Sequence, residues 1–190
     1  MEGAAGLTAR AAQRAGAGYV RLSVPGGIPT DGPPEAVGWP LETSFKVEPE
    51  EVSRFAAMIV GPGLGLAGDT AAGVRRAISD LSVPLVVDGD GLTALGDGRL
   101  CRDRCPPVVL TPHDGEFESL TGGRPAPDRL QAARSGASAT GAVMLLKGPT
   151  TVVAAPDGRT LVVNSGDQRL ATAGSGDVLA GIVGLSLIHI

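Results

Sequence analysis

The stretch Ala171–Gly181, A-T-A-G-S-G-D-V-L-A-G, sets one carboxylate among closely spaced glycines at the head of an apolar run. Gly174, Ser175 and Gly176 leave the backbone bare, so successive N–H groups can converge on an anion. If the run that follows is helical, its N-terminal dipole and orphan amides face the same point. Asp177 then stands beside an anion hole of phosphate size, where a carboxylate can take a proton from a hydroxyl. The implied chemistry is a phosphate held next to a base.

Four other polar motifs accompany this loop. G-P-G-L-G (Gly61–Gly65) lacks the G-x-G-x-x-G spacing of a dinucleotide fingerprint, and Pro62 removes a backbone donor. It is read as a tight turn with a substrate contact. In V-V-D-G-D-G-L, Asp88 and Asp90 either organise Mg²⁺ through water or hydrogen-bond turn amides, and residue type does not separate the two. T-P-H-D-G-E-F (Thr111–Phe117) offers His113 and Glu116 to a cleft, with Asp114 as an N-cap-like residue and Glu116 as an outer-sphere magnesium ligand. An isolated histidine is more often structural than catalytic. L-K-G-P-T-T places Lys147 at the end of an apolar strand, where a lysine followed by glycine suits a phosphate. Asp167, Gln168 and Arg169 precede the glycine loop, and Arg169 reads either as a second phosphate clamp or as a solvated side chain.

The elements that must position these residues alternate along the chain. Helices are expected over Leu7–Gly16, from an Asp69 cap to about Asp80, from Glu116 to about Leu120, and over Asp128 to about Ala139. Strands are expected at Tyr19–Val24, Ala56–Val60, Pro84–Val87, Val108–Leu110 and Val143–Leu146. Residues 25–50 read as a surface connection with one irregular strand. Thr151–Ala155 and Thr160–Val163 form a hairpin across Asp157-Gly158. Continuous apolar strands separated by helices imply an α/β fold whose mostly parallel sheet is covered on both faces, with the hairpin at one edge. Each polar motif then falls at a strand's carboxyl end, the ligand edge of such sheets.

Composition narrows the class. At 190 residues the chain is expected to be one domain, and with 43% apolar but only 3% aromatic residues its core must be aliphatic. A balance of 16 basic against 20 acidic residues disfavours nucleic acid and anionic membranes as partners. Cys101 and Cys105 lack zinc-like spacing and are expected to be reduced, structurally neutral thiols. The start M-E-G-A-A-G-L-T-A-R has no leader character and no apolar run is membrane-length, so a cytoplasmic protein is expected.

Together these residues resemble the carbohydrate-kinase-like NAD(P)H-hydrate dehydratases, ribokinase-fold enzymes that repair hydrated nicotinamide cofactors. The matching strings are G-A-G-Y-V-R-L (16–22), V-G-P-G-L-G (60–65), P-L-V-V-D-G-D-G-L (84–92), L-T-P-H-D-G-E-F (110–117), L-L-K-G-P-T-T (145–151) and N-S-G-D-Q-R-L-A-T-A-G-S-G-D-V-L-A-G (164–181). The resemblance implies a three-layer α/β/α ribokinase-like fold and an ADP- or ATP-driven loss of water from the (6S) hydrate of NADH or NADPH, with Mg²⁺ on the nucleotide and a leaning to ADP. It implies Asp177 as catalytic base and Gly174, Ser175 and Gly176 as the anion hole. Lys147, Gly148, Pro149, Thr150 and Thr151 fall on its nucleotide-binding segments, as do Asp167, Gln168, Arg169, Leu170, Ala171, Thr172, Ala173 and the anion-hole residues. Ala4, Gly65, His113, Asp114, Gly115, Glu116, Phe117 and Asp177 fall on the hydrate side, with Asp88 and Glu116 as indirect magnesium contacts. A homo-oligomer and an epimerase, upstream or as a separate partner, are also implied.

Three departures stand out. Ser175 replaces the usual threonine and keeps its hydroxyl. Gly3-Ala4 already falls in the helix after the family's Gly-Gly-Ser loop, so a central strand and part of the substrate pocket are expected to be absent. Residues 185–190, L-S-L-I-H-I, are expected to be a non-native tail on a fragment, and His189 is no site. Two other readings compete. A ribokinase-type kinase of a hydroxymethylpyrimidine or thiazole alcohol would use the same loop, although T-P-H-D-G-E differs from the T-P-N-x-x-E such kinases resemble. An inactive nucleotide-binding module is the other.

Overall fold

Short Val/Leu/Ile runs, each closed by a glycine, proline or polar turn, build one six-stranded sheet. The computed structural model describes residues 2–30, 32–104 and 106–188, so Cys105 and His189 lie outside the described residues. The strands are β3 (Met58–Val60), β4 (Leu85–Val87), β5 (Val108–Leu110), β6 (Val143–Leu146), β7 (Thr151–Ala154) and β8 (Thr160–Val163), hydrogen-bonded in that order. From β3 to β6 all pairs are parallel; β6–β7 and β7–β8 are antiparallel. The expected hairpin therefore forms, with Ala154 facing Thr160.

Strand periodicity divides the side chains between two faces. Leu85, Val87, Val108, Leu110, Met144 and Leu146 join one core with α3 (Thr70–Asp80), α5 (Asp114–Thr121) and α6 (Arg129–Thr140). The alternate residues Ile59, Val86, Val109 and Leu145 are not part of that core. Ile59 packs against Gly184 of α7 (Ser175–Ser186), which touches β3 and β4. Helices α3 and α6 thus cover one face and α7, backed by α1 (Glu2–Ala15), covers the other. The result is a three-layer α/β/α fold with an antiparallel edge.

Several boundaries differ from those the sequence suggests. Helix α1 begins before Leu7, because tertiary packing overrides the weak propensity of Gly3 and Gly6. Its Ala5, Ala9 and Ala12 are buried and Gly181 of α7 fits against it; a Cβ at Gly181 would overlap the Thr8 carbonyl and come 2.8 Å from Ala11 Cβ. The Tyr19–Val24 strand contracts to β1 (Arg21–Leu22), which pairs in parallel with β2 (Val37–Gly38) outside the main sheet. The 25–50 connection contains β2 and ends as α2 (Pro49–Val52) begins. Asp69 stands at the N-cap of α3 but makes no side-chain capping bond.

A cavity of about 270 Å³ lies between β1 and the outer edge of β3. Tyr19, Trp39, Phe45 and Phe55 border it, so four of the chain's five aromatic residues gather at this one place. Tyr19 stacks on Phe55 and the Arg21 guanidinium lies 3.9 Å over Trp39.

Candidate active site

Helix α7 carries the loop that stands out in the sequence. Gly174 is its N-cap in the left-handed region (φ 88°), a conformation that an L side chain would strain. Ser175 turns both of its donors inward, its amide at 3.3 Å and its hydroxyl at 2.9 Å from the Thr172 carbonyl. The amides of Gly176 and Asp177 find no acceptor among the described residues. The Gly176 and Asp177 amides thus stand open as a candidate anion cradle at the positive end of α7, while the Ser175 amide, also expected in it, makes a 3.3 Å contact with the Thr172 carbonyl.

The first turn of α7 is fastened to α1, where Thr8 Oγ1 donates to Asp177 O and to Ala4 O, both at 3.1 Å. Ala4 thus lies one helical turn before the residue that links α1 to α7. Asp177's own carboxyl is half-buried, and its pKa is raised above the usual carboxylate range. Burial is the main cause and the negative Asp88 adds to it, while Lys147 opposes both. A carboxylate so placed is a stronger base than a free one.

The strand ends deliver its neighbours. Asp88, at the end of β4, is only 3% exposed and accepts from Thr111 Oγ1 at 2.7 Å and Lys147 Nζ at 2.8 Å. Lys147, at the end of β6, also lies 3.5 Å from Glu116 Oε2. A Cβ at Gly176 would stand 3.6 Å from Lys147 Nζ and 3.8 Å from Asp88 Oδ2, so this pair lies under the cradle. Lys147, which the sequence offers to a nucleotide phosphate, here faces the carboxylates of Asp88 and Glu116. The isolated position of Thr111, two residues before His113, carries no signal of its own in the sequence.

The T-P-H-D-G-E segment is organised differently from its expected form. His113, not Asp114, is the N-cap of α5: its Nδ1 accepts from the Gly115 and Glu116 amides at 3.0 and 3.2 Å. Glu116 Oε2 reciprocates by accepting from the His113 amide at 2.8 Å, completing a capping box. Asp114 is the first helical residue and binds Arg129 at 2.8 Å. Phe117 lies in the core beside Gly136 and is not at the strand ends.

The second aspartate of D-G-D resolves as a turn device, since Asp90 Oδ2 accepts from the Gly65 amide at 2.8 Å. Thr150 Oγ1 donates to Asn164 at 3.1 Å, linking the K-G-P-T-T loop to the segment before the glycine loop. Residues 161–173 are exposed. Within them Arg169 is paired to Asp167 at 2.9 Å, which holds the Asp167 carboxyl below its usual range. Among the described residues no three carboxylate, histidine or cysteine side chains form a metal-holding group. Asp88 and Glu116, neutralised by Lys147, do not make a protein-only magnesium site. Cys101 is buried, its thiol pushed up to about 11 by desolvation against the opposing charge of Arg104.

A three-layer α/β/α fold with a largely parallel sheet and an antiparallel edge is the ribokinase-like architecture. The chain belongs to the NAD(P)H-hydrate dehydratase family, whose sequence profile matches residues 1–189. It is 44% identical over 195 aligned residues to the bifunctional NAD(P)H-hydrate repair enzyme Nnr of Salinibacter ruber, covering 94% of this chain and 36% of that protein. Against the Mycobacterium tuberculosis enzyme of the same name it is 43% identical over 150 residues, covering 78% and 31%. The chain thus spans about a third of the length of these curated relatives. The crystal structure of ADP/ATP-dependent NAD(P)H-hydrate dehydratase from Bacillus subtilis, co-crystallised with ATP and Mg²⁺, superposes with a TM-score of 0.82 at 32% identity, covering 99% of this chain and 68% of that one. A ribokinase-like superfamily protein of Enterococcus faecalis, 23% identical with a TM-score of 0.78, shares the fold. Among the described residues no helix is long and apolar enough to cross a membrane.

Proposed function

We propose that this protein dehydrates the (6S) hydrates of NADH and NADPH in an ADP- or ATP-dependent reaction, restoring the reduced cofactor. The observation that carries the reading is Asp177, a carboxylate of raised pKa on the same helical turn as an anion cradle. Family membership supplies the substrate class.

Hydroxide is a poor leaving group; transfer of the nucleotide's terminal phosphoryl group to the C6 hydroxyl, releasing AMP from ADP or ADP from ATP, converts it to phosphate. Asp177 takes the proton from that hydroxyl as it attacks, a contribution of roughly 10²–10⁴-fold. The Gly176 and Asp177 amides hold the phosphoryl oxygens, whose charge grows in transit. The ring nitrogen's electron pair then expels phosphate to give an N1=C6 iminium ion, and loss of a C5 proton to solvent restores the C5=C6 double bond of the dihydropyridine. The Lys147–Asp88 pair supplies a fixed floor beneath the cradle.

The nucleotide is assigned to the exposed 167–173 segment and the Lys147–Thr151 loop. Magnesium bound with the nucleotide would neutralise charge on the phosphates, and Asp88 and Glu116 would hold it indirectly, through water. His113, Gly115, Glu116 and Gly65 face the hydrate in this reading. Cytoplasmic placement, a homo-oligomer and a linked or separate epimerase complete it, the bifunctional name of the relatives supporting a second activity alongside.

The test is recovery of the reduced-nicotinamide absorbance band from hydrated NADH with ADP or ATP. Nucleotide consumption that leaves a stable phosphorylated product, with no recovery of the band, would instead support a small-molecule kinase. Binding of nucleotide without either outcome would support an inactive module.

A further inference from the structure

Arg129 plays no part in the sequence reading, yet it touches both polar loops that meet at the site. It is the first residue of α6, behind the Asp128 cap. Its Nη1 donates to Asp114 Oδ1 and its Nη2 to the Lys147 carbonyl, each at 2.8 Å. The side chain is largely covered, and its Nε is buried without a hydrogen-bond partner. A guanidinium held in this way is seated in a slot of the protein. It is not a surface charge that has found a neighbour.

The slot explains Gly148. A Cβ there would lie 2.6 Å from Arg129 Nη2 and 3.0 Å from Cζ, so the guanidinium occupies the space a side chain at 148 would need. Lys147 is then fixed on both sides of its backbone. Its amide donates to the Pro112 carbonyl at 2.8 Å, and its carbonyl accepts from Arg129. The other arm of Arg129 binds the first residue of α5, the helix whose Glu116 faces the Lys147 ammonium.

We propose that Arg129 is a positioning residue that locks the Lys147 strand end and the first turn of α5 into one unit, thereby setting where the Lys147 ammonium stands beneath the anion cradle. Two N–H groups in a rigid fork are needed to span the two acceptors. Lysine at this position reaches only one of them. Gly148 gains a second reason to be glycine, since a Cβ there would crowd the Arg129 guanidinium.

The turnover part of the test rests on the proposed dehydratase activity, so it is paired with a measurement that needs no turnover. In R129M, hydrogen exchange at the Lys147 amide should accelerate strongly, while the amides of the central β4 strand keep their protection. Unchanged exchange at Lys147 overturns the clamp whether or not the protein is active. In turnover, R129M should lose roughly 10²-fold in kcat, the scale of a misplaced reacting geometry, with little change in KM for the hydrate. R129K should regain thermal stability without regaining kcat. The R129M/K147M double variant should be no slower than K147M alone, since Arg129 acts through Lys147. Additive losses, or full rescue by lysine, sink the proposal. Should R129M fail to fold, G148A approaches the same contact from the other side, and parental kcat in a folded G148A overturns the proposal. A parent protein without dehydratase activity would instead count against the functional reading, leaving the exchange result to decide the clamp.

Discussion

Lys147 Nζ lies 2.8 Å from Asp88 Oδ1, joining two strand ends 59 residues apart in sequence. Asp88 is almost fully buried, and Thr111 and Lys147 are the partners that keep its charge tolerable there. Taking one partner from a buried pair leaves an uncompensated charge, which costs more than the pair itself contributes. K147M should therefore destabilise the fold by about 3 kcal/mol. The K147M/D88N double variant, having lost the stranded charge, should recover part of that. Chemical denaturation measures both; a double variant less stable than K147M would show that Asp88 is not paying a desolvation cost.

Asp177 gives a prediction that couples stability to pH. Burial first, then the charge of Asp88, raises its pKa against the pull of Lys147. The folded protein holds that proton more tightly than the unfolded chain does. Its contribution to stability is fully present below the unfolded carboxyl pKa and is lost as pH rises through the raised folded value. D177N removes a carboxylate that is costly to ionise. It should raise Tm at neutral pH, by an amount that shrinks as the solution is made acid, while turnover falls by about 10²-fold or more. In the parent, the acid limb of kcat should lie above the ordinary carboxylate range. Calorimetry across pH and a kcat–pH profile check the two signs separately, and a lower Tm for D177N at neutral pH would contradict the first.

The residues themselves reveal why much of this was readable in sequence and some was not. β4, β5 and β6 are apolar runs closed by Asp88, Thr111 and Lys147, and a strand buried on both faces has no other way to look. The same logic placed every polar motif on one sheet edge. What failed was whatever depended on partners distant in the chain. β1 shrinks to two residues because β2 is its one strand partner among the described residues, which no local pattern announces. The pairing of Lys147 with Asp88 and Glu116 is not visible locally, because one lies at another strand end and the other on α5. Arg129 sits in an ordinary helical first turn, and nothing local marks its reach to Lys147.

Gly181 tests whether the α1–α7 contact governs the site. An added Cβ would overlap the Thr8 carbonyl and crowd Ala11 and the Ala12 amide, so α1 and α7 would have to separate. Overpacking of this kind typically costs about 1–3 kcal/mol. Thr8 is also the residue whose hydroxyl binds the Asp177 carbonyl. G181A should consequently lower Tm and shift the first turn of α7, reducing kcat beyond what a smaller folded fraction explains. Turnover measured well below the transition, where all molecules are folded, separates the two; a parental rate there would mean the cradle is held without α1.

His113 bears on how far T-P-H-D-G-E discriminates the dehydratase from the kinases that resemble it. Its Nδ1 caps α5 by accepting two backbone amides, and Glu116 completes the box. Asparagine is among the strongest N-cap residues and can offer its side-chain oxygen to the same amides. The His/Asn difference between the two groups is therefore compatible with one shared structural job, and its weight as a catalytic signature falls. H113A should cost about 1 kcal/mol of stability, and H113N should restore most of it. Denaturant midpoints at constant slope measure this directly. If H113N were as unstable as H113A, the imidazole would be acting through something other than the cap, and the histidine would regain its standing as a mark of the dehydratases.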